Sequence, residues 1–235
     1  MKITRNVSRY IHFVLDELLP PIVRDSRFVM SILLKASLQD KAEYFLTFKE
    51  KAHQLSAEEF QHYYQETYGI LDRETDLNRG CIKRITKMIF DTAVLEVGCG
   101  NGFLSKKLAA TNKKVTGYDI QITQKQKDEA GSVSYVQGFV EELPFADDSY
   151  ETVVCTHTLE HVQNLPVAIA QLRRVAKSRL VIVVPCQRPY RYTFDLHIHF
   201  FPYAMNIYHA FLPPKSALVT LEKVEGDWLY IEEYE

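Results

Sequence analysis

Apolar residues recur through the first third of the chain at spacings of three and four, the period of a helix with one buried face. Ile11, Val14, Leu15 and Leu18 predict a helix over Ser8–Leu19 that Pro20-Pro21 stops. The same spacing predicts helices over Ser26–Leu38 and Asp40–His53. Ser56-Ala57-Glu58-Glu59 has the form of a capping box, so a fourth helix is expected to start there and to carry Phe60, Tyr63, Tyr64 and Tyr68. After a loop around 71–76, Leu77–Ile89 reads as a further helix. From Thr92 onward the pattern changes to short apolar runs alternating with amphipathic segments. Strands are expected at 93–97, 114–119, 133–136, 152–156 and 179–184, and helices at 103–110, 122–129 and 165–176. This alternation predicts a parallel sheet covered by helices on both faces. Val181–Val184 is apolar throughout, as a strand buried on both sides requires, and Pro185 is expected to end it. The segments 217–224 and 228–231, joined through Glu225-Gly226-Asp227, read as an antiparallel hairpin. The expected fold class is therefore α/β, a doubly wound, mostly parallel seven-stranded sheet with a C-terminal antiparallel hairpin. A helical N-terminal extension, residues 1–76, precedes a domain over 77–235.

Candidate chemistry gathers where the first strand meets the following helix. Val94-Leu95-Glu96-Val97-Gly98-Cys99-Gly100-Asn101-Gly102 places glycine at alternate positions of a tight loop, where a Cβ would hold a ligand away from the backbone. Glu96 stands two residues before the first glycine, at the strand's carboxyl end. The second strand ends in Asp119, about 20 residues past the loop, where an acid can accept from both hydroxyls of a ribose. Leu143-Pro144-Phe145 and Leu159-Glu160-His161-Val162 follow, around the fourth strand.

In this order these motifs resemble a class I S-adenosylmethionine (SAM)-dependent methyltransferase, and more narrowly the branch acting on small molecules, sugars and lipids. The resemblance covers roughly Leu77–Glu235. It implies a Rossmann-like methyltransferase fold with SAM as cofactor. It also implies that the carboxylate of the SAM tail meets backbone N–H groups near Gly98, Gly100 and Gly102, and that its ammonium meets Glu96. Cys99 is expected as a small packing residue in the loop. Asp119 would hold the ribose, with Ile120 on one face of the adenine and Gly138-Phe139-Val140 as the other wall. Phe139 stands where the family usually has an aspartate for the adenine amino group; either Phe139 supplies ring contact and Glu141 takes the polar role, or a water does. Thr156 and His157 would border the sulfonium.

For a hydroxyl acceptor a general base is useful, and His157, His197 and His199 are the candidates; structural hydrogen bonding is the competing role for the last two. His161 is a further histidine on offer, for which a helix-packing or capping role is the competing reading. The histidines could hold a metal geometrically, but relatives that use a cation do so through carboxylates, and no metal is expected. Arg188 and Arg191, set among aromatics, fit either a solvated rim or a phosphate, carboxylate or sugar acceptor.

Net charge −2 argues against a dedicated nucleic-acid surface. Cys81, Cys99, Cys155 and Cys186 lack paired spacing, which fits reduced thiols. The segment Met1–Arg5 lacks the features of a signal peptide, so a cytoplasmic location is expected. For the N-terminal aromatics three readings stand: their own core, a cap over the SAM pocket, and peripheral membrane contact through apolar helices flanked by Arg9, Arg24, Arg27 and Lys35. The expected activity is methyl transfer from SAM to a small-molecule, glycan or lipid-linked acceptor. The alternatives are an NAD(P)-dependent oxidoreductase and a catalytically silent SAM-fold regulatory subunit.

Overall fold

A computed structural model describes Tyr10 and residues 13–67, 74–111, 114–193 and 195–234. Its strands are β1 (Ala93–Val97), β2 (Lys114–Asp119), β3 (Val133–Gln137), β4 (Tyr150–Thr156), β5 (Ala176–Pro185), β6 (Ala217–Val224) and β7 (Asp227–Tyr234). Its α-helices are α1 (Pro21–Arg24), α2 (Arg27–Leu38), α3 (Ala42–Lys51), α4 (Ala57–Thr67), α5 (Arg79–Met88), α6 (Phe103–Ala109), α7 (Gln124–Asp128), α8 (Leu165–Val175) and α9 (Ala204–Phe211). The strands form one seven-stranded sheet in the order β3-β2-β1-β4-β5-β7-β6. β1 to β5 pair in parallel, and β7 runs antiparallel to both β5 and β6. The expected sheet and closing hairpin are both present. Chain order reverses between β1 and β4, and in open α/β sheets the crevice at such a point, beyond the strands' carboxyl ends, receives the ligand.

The chain divides into two compact units, Met1–Arg73 with Gln187–Phe200, and Glu74–Cys186 with Phe201–Glu235. In the second unit, successive strand residues face opposite sides of the sheet. Val94, Val115, Val154, Val181 and Val183 pack with Cys81 and Ile85 of α5 and Leu104 and Leu108 of α6. Leu95, Val153, Leu180 and Ile182 pack on the other face with Ile169 and Leu172 of α8 and Phe211 of α9. The apolar run in β5 is thus explained by helices on both sides.

In the first unit, α2 buries Met30, Leu34 and Leu38, one residue per turn. The Phe48 ring on α3 lies 5.5 Å from that of Phe60 and 5.2 Å from that of Tyr63, both on α4. The expected capping box forms: Ser56 N–H donates to Glu59 Oε2 at 2.8 Å, and Glu59 N–H donates to Ser56 Oγ at 3.3 Å. Ile22, Phe28, Ile32 and Leu33 are exposed. Among the described residues no helix is long and apolar enough to cross a membrane.

Several local expectations are corrected. Val14–Leu18 forms a wider π-type turn instead of a regular α-helix, and Ser8, Ile11 and Tyr68 lie outside the described residues. Pro21 occupies the first position of α1, where a missing N–H costs nothing, so the proline pair starts a helix as well as stopping one. β5 begins at Ala176, directly after α8, and includes Pro185. The apolar stretch after Tyr203 folds as α9, a helix not anticipated. Residues 187–200 belong with the N-terminal helices, although they follow β5 in sequence.

The outer hairpin is tied to α8 by Glu232, whose side chain is fully buried. It accepts from Arg173 Nη2 at 2.6 Å, Tyr230 OH at 2.5 Å and Tyr234 OH at 2.5 Å. Removing one partner of a buried ion pair strands the other. Glu232→Leu is therefore expected to lower unfolding free energy by about 3–5 kcal/mol in urea titrations; a loss below about 1 kcal/mol, the size of an exposed pair, would refute this role.

Candidate active site

The glycine loop is held by its neighbours at the carboxyl ends of β1 and β2. Gly98 and Cys99 N–H both donate to Tyr118 O, at 2.7 and 3.1 Å. Gly102 N–H closes the turn on Cys99 O at 2.8 Å. Gly100 N–H donates to Asp119 Oδ2 at 2.8 Å, while Gln121 N–H donates to Asp119 Oδ1 at 3.0 Å. Gln126 Nε2 donates to Gly100 O at 2.6 Å from a side chain that also completes the capping box of α7 with Thr123. Gly98 has φ +73°, and a Cβ there would meet Thr158 Oγ1 at 1.7 Å. At Gly100, with φ +49°, a Cβ would meet nothing within 4 Å, so this residue faces open space.

These bonds bear on one expectation. The N–H groups of Gly98 and Gly100 are engaged by β2, through Tyr118 O and the Asp119 carboxylate, and that of Gly102 inside the loop by Cys99 O, before any ligand carboxylate is considered. The glycines shape the loop, and the side chain of Asp119 fastens it to β2.

Glu96 is buried and accepts from Ser105 Oγ on α6. Burial pushes its carboxyl up to about 8 against the Ser105 bond, and the neighbouring Asp119 adds to the rise. Asp119 is also raised by burial, although the Gln121 and Gly100 N–H groups oppose this. Two acids thus stand at adjacent strand ends. Cys99 is buried and its thiol is pushed well up, again by burial, which suits a packing residue.

Beyond Asp119, Ile120 and Phe139 are half-buried and Val140 is buried. Phe139 O accepts from Tyr118 OH at 3.1 Å. Glu141 Oε1 accepts from Asn164 N–H at 3.3 Å, at the start of α8. Gln121 Oε1 is buried without a hydrogen-bond partner. Sequence reasoning missed Gln121, Ser105 and Gln126; of these, only Gln126 carried a local signal, the Thr123-x-x-Gln126 spacing.

Thr156 is buried at the end of β4, and its carbonyl accepts from Thr158 Oγ1 at 3.0 Å. His157 follows in a left-handed conformation, φ +48°. Its Nε2 lies 3.3 Å from Asp227 Oδ2, and its Nδ1 lies 3.3 Å from Glu160 Oε1. Asn78, the N-cap of α5, donates to the same Asp227 oxygen at 2.7 Å. Burial disfavours the imidazolium, but hydrogen bonds and charge from Asp227 and Glu160 win and raise its pKa to about 10. A ring held protonated between two carboxylates does not accept a proton near neutral pH. The two flanking acids favour an internal counter-ion over the expected base for His157. His197 and His199 lie in the first unit. His197 Nδ1 contacts Gln187 Oε1 at 2.5 Å.

A family model described as a methyltransferase domain matches residues 95–184. The chain is 30% identical over 111 residues to malonyl-[acyl-carrier protein] O-methyltransferase of Erwinia pyrifoliae, covering 45% of this chain and 42% of that one. It is 34% identical over 115 residues to a ubiquinone biosynthesis O-methyltransferase of Rickettsia felis, covering 45% and 47%. The chain thus spans less than half the length of these relatives. In fold it resembles the PH0226 protein of Pyrococcus horikoshii, with TM-score 0.57, 17% identity and coverage of 74% of this chain and 99% of that one. It also resembles a SAM-dependent methyltransferase from Aquifex aeolicus, with TM-score 0.50, 17% identity and coverage of 65% and 88%.

The His157 clamp has a pH signature. Its folded pKa of about 10 exceeds the ordinary 6.5, so its contribution is complete below 6.5 and disappears as pH rises through 10. Urea titrations of wild type and His157→Leu between pH 6 and 10 should show the wild-type advantage shrinking steadily with pH. A difference independent of pH would contradict a charged clamp.

Proposed function

We propose that this chain, whose residues 95–184 match a methyltransferase domain, is a class I SAM-dependent methyltransferase that transfers a methyl group from SAM to the hydroxyl of a small-molecule, glycan or lipid-linked acceptor. The observation that carries the reading is the buried Glu96 beside the half-buried Asp119 at adjacent strand ends, with Asp119 bonded to both Gly100 and Gln121.

The residues present suit this cofactor. Asp119 is held by two backbone donors, and each oxygen keeps acceptor capacity for a ribose hydroxyl. Glu96 suits the ammonium of the amino-acid tail. Gly100 faces open space where a side chain would otherwise stand. The orphaned Gln121 Oε1 is an acceptor suited to the adenine amino group, the contact left vacant by Phe139. Ile120, Phe139 and Val140 would flank the adenine, and Thr156 would border the sulfonium. Gly98, Cys99 and Gly102 would shape the loop around the tail. SAM bound there supplies a methyl group on a sulfonium, so the leaving thioether needs no proton from the protein. The chain's remaining tasks are to orient the acceptor and to receive its proton, for which His197 and His199 are the proposed groups.

The relatives' names, a malonyl-[acyl-carrier protein] and a ubiquinone biosynthesis O-methyltransferase, support oxygen as the acceptor atom and a carrier- or lipid-linked molecule as its class. The exposed Ile22, Phe28, Ile32 and Leu33 support contact with a lipid-borne acceptor at a membrane surface.

Calorimetric titration tests the reading. Wild type should bind SAM and not NADH, and Asp119→Ala should weaken SAM on the order of 100-fold or more, as losing hydrogen bonds to a charged group predicts. Glu96, raised to about 8, is mostly protonated at pH 7, and an incoming ammonium favours its ionised form. Titrations in two buffers of different ionisation enthalpy should therefore report release of about one proton. Binding of NADH instead, or equal SAM affinity in Asp119→Ala, would refute the site.

A further inference from the structure

Helix α2 of the first unit is apolar on two opposite faces. Met30, Leu34 and Leu38 recur every four residues and are buried. At about 3.6 residues per turn, Phe28, Ile32, Leu33 and Ala36 fall on the opposite arc, and all four are exposed. Phe28 is 76% exposed and Ile32 55%. In the preceding α1, Ile22 is 84% exposed. Single exposed apolar residues are ordinary, but these form a stripe directly across the helix from a buried one. A helix that is apolar all round is ordinarily covered on every side. In α2 the chain covers one face and leaves the other in water.

The charges beside this arc are of one sign. From Ser26 to Gln39 the only charged residues are Arg27 and Lys35, both exposed and on the same flank of the arc. Of the neighbouring acids, Asp25 lies 3.5 Å from Arg24 Nη2 and accepts from Arg191 N–H at 3.2 Å. Asp40 stands beyond the helix end. Glu43 on α3 lies 3.6 Å from Arg27, with both side chains more than half exposed, a weak pair that lipid phosphates can replace. These features sort the candidate occupants. A second copy would present the same arc about a two-fold axis, bringing the basic flank into an interface with no acid of α2 to answer it. A bilayer takes apolar side chains below its headgroups and sets anionic phosphates beside flanking cations. At 12 residues α2 is too short to span a membrane, so it would lie along the surface.

We propose that the outer arc of α2, together with Ile22 of α1, is a docking surface for a bilayer carrying anionic lipids, with Phe28 and Ile32 entering the acyl boundary and Arg27 and Lys35 meeting the headgroups. The buried stripe of Met30, Leu34 and Leu38 stays turned to the chain, and only the outer arc enters, to a depth of about 5–10 Å. The inference rests on the functional reading for its purpose, which is to bring the chain to a lipid-borne acceptor. The adhesion itself needs neither SAM nor acceptor.

The test is co-sedimentation of the full chain with vesicles, of phosphatidylcholine alone or of phosphatidylcholine mixed with phosphatidylglycerol. Wild type should bind the mixed vesicles and should bind phosphatidylcholine about 10–30-fold more weakly, as two basic residues at an anionic surface predict. Arg27→Gln and Lys35→Gln should each cost about 5-fold on the mixed vesicles. Phe28→Gln/Ile32→Gln should cost about 100-fold. Its thermal unfolding and SAM affinity should match wild type, because both side chains are exposed in the folded chain. Wild type that stays in the supernatant, a double variant that sediments like wild type, or equal binding to both kinds of vesicle would overturn the proposal. So would a wild-type dimer in sedimentation equilibrium that the double variant loses, which would give the face to a second copy. Vesicle binding without SAM binding would overturn the functional reading alone. SAM binding without vesicle binding would overturn the docking surface alone.

Discussion

The site depends on one carboxylate. Asp119 sits at the end of β2, yet its two oxygens hold the backbone of two different segments, the glycine loop after β1 through Gly100 and the turn toward α7 through Gln121. The loop cannot take this form with ordinary residues at Gly98, where φ is positive and Thr158 occupies the space of a side chain. Local chain freedom at the glycines is thus exchanged for order imposed by an acid. The same acid ends the strand next to β1, at the carboxyl edge of the sheet where strand order reverses between β1 and β4. Sheet topology places the crevice, and Asp119 gives it a rigid polar edge.

Charge in this unit is handled in two contrasting ways. Glu160 and Asp227 are buried acids compensated internally by the His157 imidazolium, and Asn78 adds a further donor to Asp227. Glu96 has a serine hydroxyl as its donor and a second acid as its charged neighbour, so it drifts toward neutrality. A buried acid pair balanced by its own histidine is structural. A buried acid beside another acid at a strand's carboxyl end is the arrangement that the proposed cationic ligand would complement.

The reading of the sequence succeeded where the signal is local. Apolar runs gave the strands, Ser56 with Glu59 gave the start of α4, and Glu225-Gly226-Asp227 gave the closing hairpin. The glycine loop and Asp119 were visible because their spacing along the chain is short. What escaped depends on contacts made through space. Nothing near His157 announces that Asp227, 70 residues later, clamps its ring, so it read as a base. Residues 187–200 follow β5 and look like part of the sheet domain, but Asp195 and Gln187 complete a network with Lys49 on α3. The N–H groups of the glycine loop look vacant in sequence because their partners, Tyr118 O and Asp119, lie on the adjacent strand.

The most direct measurement is a crystal structure of the protein with S-adenosylhomocysteine. The account predicts both ribose hydroxyls within hydrogen-bonding distance of Asp119, the ammonium beside Glu96, and the adenine amino group against Gln121. Ligand density elsewhere on the chain, or a ribose turned away from Asp119, would contradict it.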